Sequence, residues 1–135
     1  MPQENVEATR AAIDAVNRRD ADALVALSDP EIEFHAYFSD VLGATFKGYE
    51  GLRAYIREIT DSFEAFHIDI DTIEGREGFV VAKLHALGRG RASGADVEWR
   101  ACYVARLRDG KGWRVASRPT EQAAVQAVGL PSATG

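Results

Sequence analysis

The sequence predicts an α+β fold: a strongly curved antiparallel sheet wrapped around N-terminal helices, with a short C-terminal helix. Two patterns indicate this class. Helical periodicity of apolar residues dominates the first half, and strict apolar–polar alternation dominates the second. Three glycines in the long strands, Gly88, Gly90 and Gly94, indicate a bent sheet. A bent sheet closed by helices would enclose a cavity.

The chain begins with helical patterns. Residues 4–20 place Val6, Ile13 and Val16 on one face of a first helix. Asp20 is a suitable N-cap for a second short helix, ADALVALS. The segment DPEIEFHAYF then alternates as a half-buried strand should, and a kink after it would swing Tyr37 inward.

The segment GYEGLRAYIREITDSF, residues 48–63, gives the clearest helix. Its apolar residues recur at helical spacing and form one stripe toward the core: Leu52, Tyr55, Ile56, Ile59 and Phe63. About four long strands follow. In the strand ADVEWRACYVARLR, one face is apolar and includes Trp99 and Tyr103. Asp109-Gly110 predicts a tight hairpin, and Thr120 is a suitable cap for the last helix.

Composition narrows the possible functions. The 135 residues suit one domain, 1–135, and the net charge of −5 with pI near 5.2 argues against nucleic acid as a partner. The single cysteine, Cys102, cannot form a disulfide within the chain. We expect no membrane span, because no apolar run approaches about 20 residues. The polar N-terminus predicts a cytoplasmic protein, and the preference for Arg over Lys a bacterial one. Three scattered histidines predict no metal site.

Five segments resemble the nuclear transport factor 2-like superfamily, in particular its SnoaL-like branch. They are NRRDADALVALSDPEIEFH, GYEGLRAYI, GRGRASG, LRDGKGWRV and EQAAVQAVGL. The superfamily includes ketosteroid isomerases and polyketide cyclases, so the resemblance implies that the curved sheet and helices described above form a cone. It also implies a pocket for a small apolar molecule, chemistry without a cofactor, and a homodimer formed through the sheet.

The resemblance to ketosteroid isomerases also implies two catalytic residues. Their general-base aspartate lies in an Asp-Pro-Val-Gly segment, which DVLG resembles here, so Asp40 takes the position of the base. Val41 replaces the proline. Tyr103 falls near the position of their late-strand acid, which donates a hydrogen bond to an oxyanion. The first helix lacks the tyrosine that those enzymes use as a second donor.

The expected pocket lining comes from aromatic and polar residues near the cavity: Phe34, Tyr37, Phe38, Tyr55, Phe63, Trp99, Trp113, Ser117 and Arg118. Several of these have a second interpretation. The aromatic residues are equally suited to a solid core. Arg118 either meets an anionic ligand at the mouth or is solvated.

Two functions therefore remain open. Asp40 is either a general base beside an apolar pocket or an ordinary turn-forming aspartate. With a base, the chain is an isomerase or cyclase acting on a carbonyl compound. Without one, it is a non-catalytic ligand-binding or dimerisation domain. The arginines opposite the core, together with Cys102 and Val104, are either solvated or face a second copy.

Overall fold

The structure, a computed structural model, describes residues 2–38 and 41–130, with backbone only for residues 2, 38 and 41–44. The helices are α1 (Pro2–Asn17), α2 (Ala21–Ala26), α3 (Gly48–Ser62) and α4 (Glu121–Ala127). The strands are β1 (Ser28–Phe38), β2 (Val41–Lys47), β3 (Phe63–Arg76), β4 (Phe79–Gly90), β5 (Asp96–Arg108) and β6 (Lys111–Arg118). Within the described part of the chain, no helix is both long and apolar enough to span a membrane.

The strands form one six-stranded sheet in the order β2-β1-β6-β5-β4-β3. Neighbouring strands are antiparallel except for β1 and β6, which run parallel. The sheet is strongly curved and does not close on itself. Register shifts interrupt β3 twice, at Phe63–Ala65 and at Ile70–Thr72, and such irregularities bend a strand. The predicted α+β class is thus confirmed, whereas β2 was not predicted.

The concave face of the sheet packs on α1, α2 and α3. The predicted stripe of α3 is confirmed, because Leu52, Tyr55, Ile56 and Ile59 are all buried. Phe63 ends the helix and begins β3. Its ring packs directly over Gly88, where an added Cβ would lie 3.0 Å from the ring.

Paired hydrogen bonds fasten α1 to the edge of the sheet. Asn17 donates from Nδ2 to the Ile68 carbonyl at 2.9 Å, and its Oδ1 accepts from the Ile68 amide at 2.8 Å. Arg19, two residues on, donates to the Phe66 carbonyl at 3.2 Å and lies over the Phe66 ring. The side chain of Asn17 thereby provides hydrogen-bond partners for both backbone groups of Ile68, on the edge of β3 that has no neighbouring strand.

The convex face is partly covered by α4. A separate apolar cluster joins β4, β5 and β6 to this helix, and Cys102 and Val104 lie within it at 5% and 0% exposure. We expected these two residues to face solvent or a second copy. They lie instead against the same chain, because α4 folds back over this end of the sheet.

The predicted caps and hairpin are confirmed. The Asp20 carboxylate accepts from the Ala23 amide at 3.0 Å, and the Thr120 hydroxyl accepts from the Ala123 amide at 3.2 Å. Asp109 and Gly110 have φ values of 53° and 77°, the left-handed backbone that a tight hairpin between β5 and β6 requires.

Candidate functional site

A cavity lies between the helices and the concave face of the sheet. Its volume is about 70 Å³, and its walls come from α1, α2 and α3 on one side and from β1, β3, β4, β5 and β6 on the other. Aliphatic and aromatic side chains form most of the lining. The alternation of β5 supplies one wall, since Trp99, Tyr103 and Leu107 all point inward.

The polar groups of the cavity are mainly hydroxyls. Two of these hydroxyls, those of Thr9 and Ser28, each donate to the carbonyl oxygen four residues earlier, at 2.8 Å. The hydroxyls of Tyr37, Tyr103 and Ser117 make no hydrogen bond to another described residue. Among the described side chains, the lining contains no Asp, Glu, His, Lys, Arg or Cys. This part of the cavity therefore favours an uncharged ligand that accepts hydrogen bonds.

Tyr103 and Ser117 are neighbouring residues in the cavity wall. They are directly opposite each other in the antiparallel pairing of β5 with β6, and both line the cavity. Directly opposed residues have Cβ atoms about 5 Å apart.

Burial keeps the tyrosines protonated. The pKa of Tyr103 is raised far above its usual value because the phenol is desolvated by the side chains around it. The pKa of Tyr55 is raised for the same reason, and further by the neighbouring Tyr103, whereas Arg19 lowers it slightly. Phe34 packs against both rings, with centroid distances of 4.8 Å to Tyr55 and 6.4 Å to Tyr103. Both phenols are neutral at neutral pH and can act as hydrogen-bond donors.

A second aromatic group closes the far side of the cavity. Phe66 and Trp99 line it with ring centroids 5.9 Å apart. Phe63 lies behind them, 5.2 Å from Phe66 and 6.2 Å from Trp99, and does not reach the cavity. The close approach of Phe63 to Gly88 accounts for this outward position.

The structure brings six of the residues expected to bind ligand or catalyse to the cavity: Phe34, Tyr37, Tyr55, Trp99, Tyr103 and Ser117. Phe63, Trp113 and Arg118 do not line it. Phe38 is described by its backbone only. Asp40, the expected base, lies outside the described residues, so its role stays a prediction.

Trp113 is displaced by an irregularity between β5 and β6. The register shifts between Arg106 and Leu107, which leaves Trp113 without a partner on β5. The ring lies against three guanidinium groups, with carbon-to-centroid distances of 4.2–5.0 Å: Arg106, Arg108 and Arg114. Simple alternation had placed Trp113 with Val115 and Ser117, and the shift breaks that alternation.

Arg118 binds backbone instead of facing the cavity. Its Nη1 lies 3.1 Å from the His35 carbonyl oxygen, 3.3 Å from that of Ala36 and 2.8 Å from that of Ser117. The guanidinium group is thus neither a ligand contact nor a merely solvated charge.

The histidines lie away from the cavity. His67 Nε2 is 3.0 Å from Asp69 at the surface, and His85 Nε2, in a half-buried side chain, is 3.1 Å from Glu98. His35 Nδ1 is 2.9 Å from the Thr45 hydroxyl. In the part of the chain that the structure describes, no group of three or more potential metal ligands converges.

Sequence reasoning missed the contribution of the first helix to the lining. Ile13 and Val16 were expected in the core, and both border the cavity together with Thr9. The helical stripe was visible in the sequence. Nothing in it indicated that a void separates this stripe from the sheet.

Comparisons with known proteins agree with this architecture. Residues 9–115 match the SnoaL-like domain family. None of the curated proteins matches the sequence. An NTF2-like protein of unknown function from Burkholderia pseudomallei superposes with a TM-score of 0.76 at 16% identity, covering 94% of this chain and 98% of that one.

Two further solved structures share the fold. A cystatin-fold protein from Novosphingobium aromaticivorans has a TM-score of 0.72 at 22% identity, covering 84% of this chain and 96% of that one. A protein from Catenulispora acidiphila with a ketosteroid isomerase-like fold, solved with trimethylamine, has a TM-score of 0.75 at 17% identity, covering 93% of this chain and 94% of that one. The family match spans most of the chain, and the neighbours share its fold over nearly their whole length. This protein therefore belongs to the SnoaL-like domain family and shares the fold of NTF2-like and ketosteroid isomerase-like proteins.

Proposed function

We propose that this protein binds a small uncharged carbonyl compound in the cavity and catalyses proton transfer at the carbon next to the carbonyl group. One observation carries the proposal. The apolar cavity presents the hydroxyls of Tyr103 and Ser117, which have no hydrogen-bond partner among the described residues. Both hydroxyls line the cavity in a largely apolar wall, so a ligand oxygen that accepts a hydrogen bond from one of them is stabilised there.

The tyrosine suits the enolate that such a reaction forms. When a base removes the α-proton, the C–H electron pair moves into the carbon–carbon bond and negative charge develops on the carbonyl oxygen. The neutral Tyr103 phenol can donate to that oxygen in a water-poor site, where a positioned donor is most effective. Return of the proton to the same or another carbon completes an exchange or an isomerisation.

The base in this proposal is Asp40. The lining described by the structure contains no carboxylate or imidazole, so proton abstraction requires a group from outside it. Asp40 follows Tyr37, which lines the cavity, by three positions, and the resemblance to ketosteroid isomerases assigns it this role. A positioned base contributes about 10²- to 10⁴-fold to the rate.

The cavity volume sets the expected ligand size. An apolar cavity of about 150 Å³ holds benzene, and this one is about 70 Å³. The unliganded site therefore accepts a molecule of a few non-hydrogen atoms, and a ring needs the side chains at the mouth to move. The neighbour solved with trimethylamine supports a small ligand in this fold.

A deuterium-exchange assay tests the proposal. Acetone, cyclopentanone and 2-tetralone are incubated with the protein in D₂O, and loss of α-protons is followed by proton NMR. We expect exchange above the buffer rate for at least one ketone. Asp40→Asn should lower it by about 10²- to 10⁴-fold, and Tyr103→Phe by about 10²- to 10³-fold.

Two matched variants control for general damage. Asp61→Asn removes an exposed carboxylate from α3, and Tyr49→Phe removes a hydroxyl that does not line the cavity. Both should exchange at the wild-type rate. Equal exchange by Asp40→Asn and the wild type would reject the base, and equal exchange by Tyr103→Phe would reject the donor.

A binding domain without chemistry is the second candidate. The absence of any acid–base group from the described lining favours it. In that case, the ketones quench the fluorescence of Trp99 in a Trp113→Phe background, but no variant changes their exchange. Saturable quenching without catalysed exchange would select this function over the first.

We also propose that two copies associate through the part of the convex face that α4 leaves uncovered. Leu87 is 37% exposed there, and Arg100 on β5 pairs with Asp71 on β3 at 2.8 Å, across the intervening β4. Opposite charges on one face suit a two-fold interface, where each patch meets its own copy. Light scattering should give the mass of a dimer for the wild type and of a monomer for Leu87→Glu. A monomeric wild type would reject this pairing.

A further inference from the structure

The end of β1 departs from a regular strand beside the cavity. In a regular strand, Phe34 and Tyr37 would point to opposite faces, because side chains alternate. Both line the cavity. The register of β1 against β2 shifts between His35 and Tyr37, and the pairing of β1 with β6 ends at His35 and Ala116. The chain therefore bends just before Tyr37.

Arg118 binds this bend where the backbone pairing stops. Its Nη1 donates to the carbonyl oxygens of both His35 and Ala36, at 3.1 and 3.3 Å. Successive carbonyls of a regular strand point to opposite edges, so one donor atom reaches both only when the chain is bent between them. Ala36 has no register partner on β2 or β6, and a charged donor stabilises a carbonyl in such a position.

We propose that Arg118 is a positioning residue of the cavity, which holds the bend at His35 and Ala36 and thereby turns the Tyr37 side chain into the cavity. The guanidinium group does not touch the ligand. Ser117, the neighbour of Arg118, lines the cavity, so the same contact also fixes Tyr37 relative to the pair formed by Tyr103 and Ser117. Irregular strand ends beside functional sites commonly redirect a side chain in this way.

Tyr37 is well placed to influence which ligands enter. It is partly exposed, whereas Tyr55 is buried, so its ring lies toward the outside of the cavity. The inference rests on the proposed function only in taking the cavity as the ligand site. The orientation of Tyr37 can be measured without any ligand.

Fluorine NMR of the apo protein tests the proposal. The chain has four tyrosines, and 3-fluorotyrosine labelling gives one resonance for each, assigned with single Tyr→Phe variants. Arg118→Met keeps a long apolar side chain and removes the donors. We expect the Tyr37 resonance to move toward that of the exposed Tyr49, while those of Tyr55 and Tyr103 stay in place. In Arg118→Lys, which keeps the charge, the Tyr37 resonance should lie between its wild-type position and its position in Arg118→Met.

Arg114→Met is the matched control. Arg114 lies on the same strand and also donates to carbonyls, those of Glu31 and Trp113 at 2.9 and 3.0 Å, but it does not contact the bend. It should leave the Tyr37 resonance unchanged.

Three results would overturn the proposal: no shift of Tyr37 in Arg118→Met, an equal shift in Arg114→Met, or a joint shift of all the cavity tyrosines. If Arg118→Met does not fold, the Tyr37 resonance of Arg118→Lys decides, because a single ammonium group cannot match all three contacts and should shift it in part. Failure of the proposed function is read separately, from the exchange rate of Asp40→Asn. A Tyr37 shift with no catalysed exchange would reject the chemistry and retain the positioning role.

Discussion

Filling the cavity from one wall should stabilise the protein and abolish ligand binding. Ala101 lies on β5 between the inward-pointing Trp99 and Tyr103, and it lines the cavity. Replacing Ala101 with leucine adds three carbon atoms. Scaled from a cavity of about 150 Å³ that holds the six carbons of benzene, the 70 Å³ present here has room for about three.

The expected gain follows from the transfer of these atoms out of water. Burial contributes about 0.8 kcal/mol per methylene-sized group, or about 2.4 kcal/mol for three. Ordering the leucine side chain costs about 0.5–1 kcal/mol. We therefore expect Ala101→Leu to raise the free energy of unfolding by about 1–2 kcal/mol.

The same substitution in a filled region should do the opposite. Ala116 is fully buried on the convex face under α4, beside Val104. Overpacking a filled core costs about 1–3 kcal/mol. Both variants replace an alanine in a strand with leucine. Opposite changes in the free energy of unfolding would therefore identify the empty space at Ala101 as the cause.

Urea unfolding followed by tryptophan fluorescence measures both free energies, and quenching of Trp99 by acetone measures binding. Ala101→Leu should unfold at higher urea concentration and lose the quenching, whereas Ala116→Leu should unfold earlier and keep it. A loss of stability in Ala101→Leu as large as that in Ala116→Leu would show that the space is already filled. The cavity argument would then fail.

Three further predictions concern stability and reactivity. Above pH 10, an unfolded tyrosine releases its proton while buried Tyr55 and Tyr103 keep theirs, because their pKa values are raised. Stability should be unaffected below pH 10 and should then fall by about 1.4 kcal/mol per pH unit per tyrosine. Denaturant titrations from pH 9 to 11 should show a slope that Tyr103→Phe roughly halves. The Cys102 thiol, whose burial raises its pKa, should react with a thiol reagent only in denaturant, and labelling at neutral pH without it would contradict the packing under α4. Asn17→Ala should cost about 1–3 kcal/mol in urea unfolding, since it frees both backbone groups of Ile68, and a neutral effect would show that water replaces the amide.

Sequence reasoning located the elements whose apolar residues recur at one unambiguous spacing. The α3 stripe from Leu52 to Ile59 and the inward face of β5 from Trp99 to Leu107 were both visible as patterns. Each depends only on which side of one element is buried, and local periodicity reports that directly.

The features that escaped prediction depend on contacts between distant segments. The strand β2, residues 41–47, carries Gly43 and Ala44, which disfavour strands when taken alone. Its pairing with β1 provides the hydrogen bonds that make it a strand. Likewise, the alternation of β6 predicts that Trp113 points inward. A register shift against β5 removes its partner and breaks that alternation.

The candidate site was predicted only in part, because it also depends on contacts between distant segments. Tyr103 and Ser117 could each be assigned to a strand face, but their juxtaposition depends on the register of β5 against β6. The role of Arg118 could not be read from the sequence, since its partners lie more than eighty positions away. A charge at the end of a strand looks the same whether it meets water or a carbonyl.

The parallel contact between β1 and β6 has a consequence for the order of folding. Strands β3 to β6 are consecutive hairpins that can form from nearby segments, whereas the pairing of Phe34 with Val115 closes most of the chain. Such distant contacts form slowly because they require the closure of a long loop. We expect β1 to dock late, so truncating Phe34 should accelerate unfolding more than it slows refolding. The binding site, which needs Phe34 and Tyr37, would then be the last part of the molecule to exist.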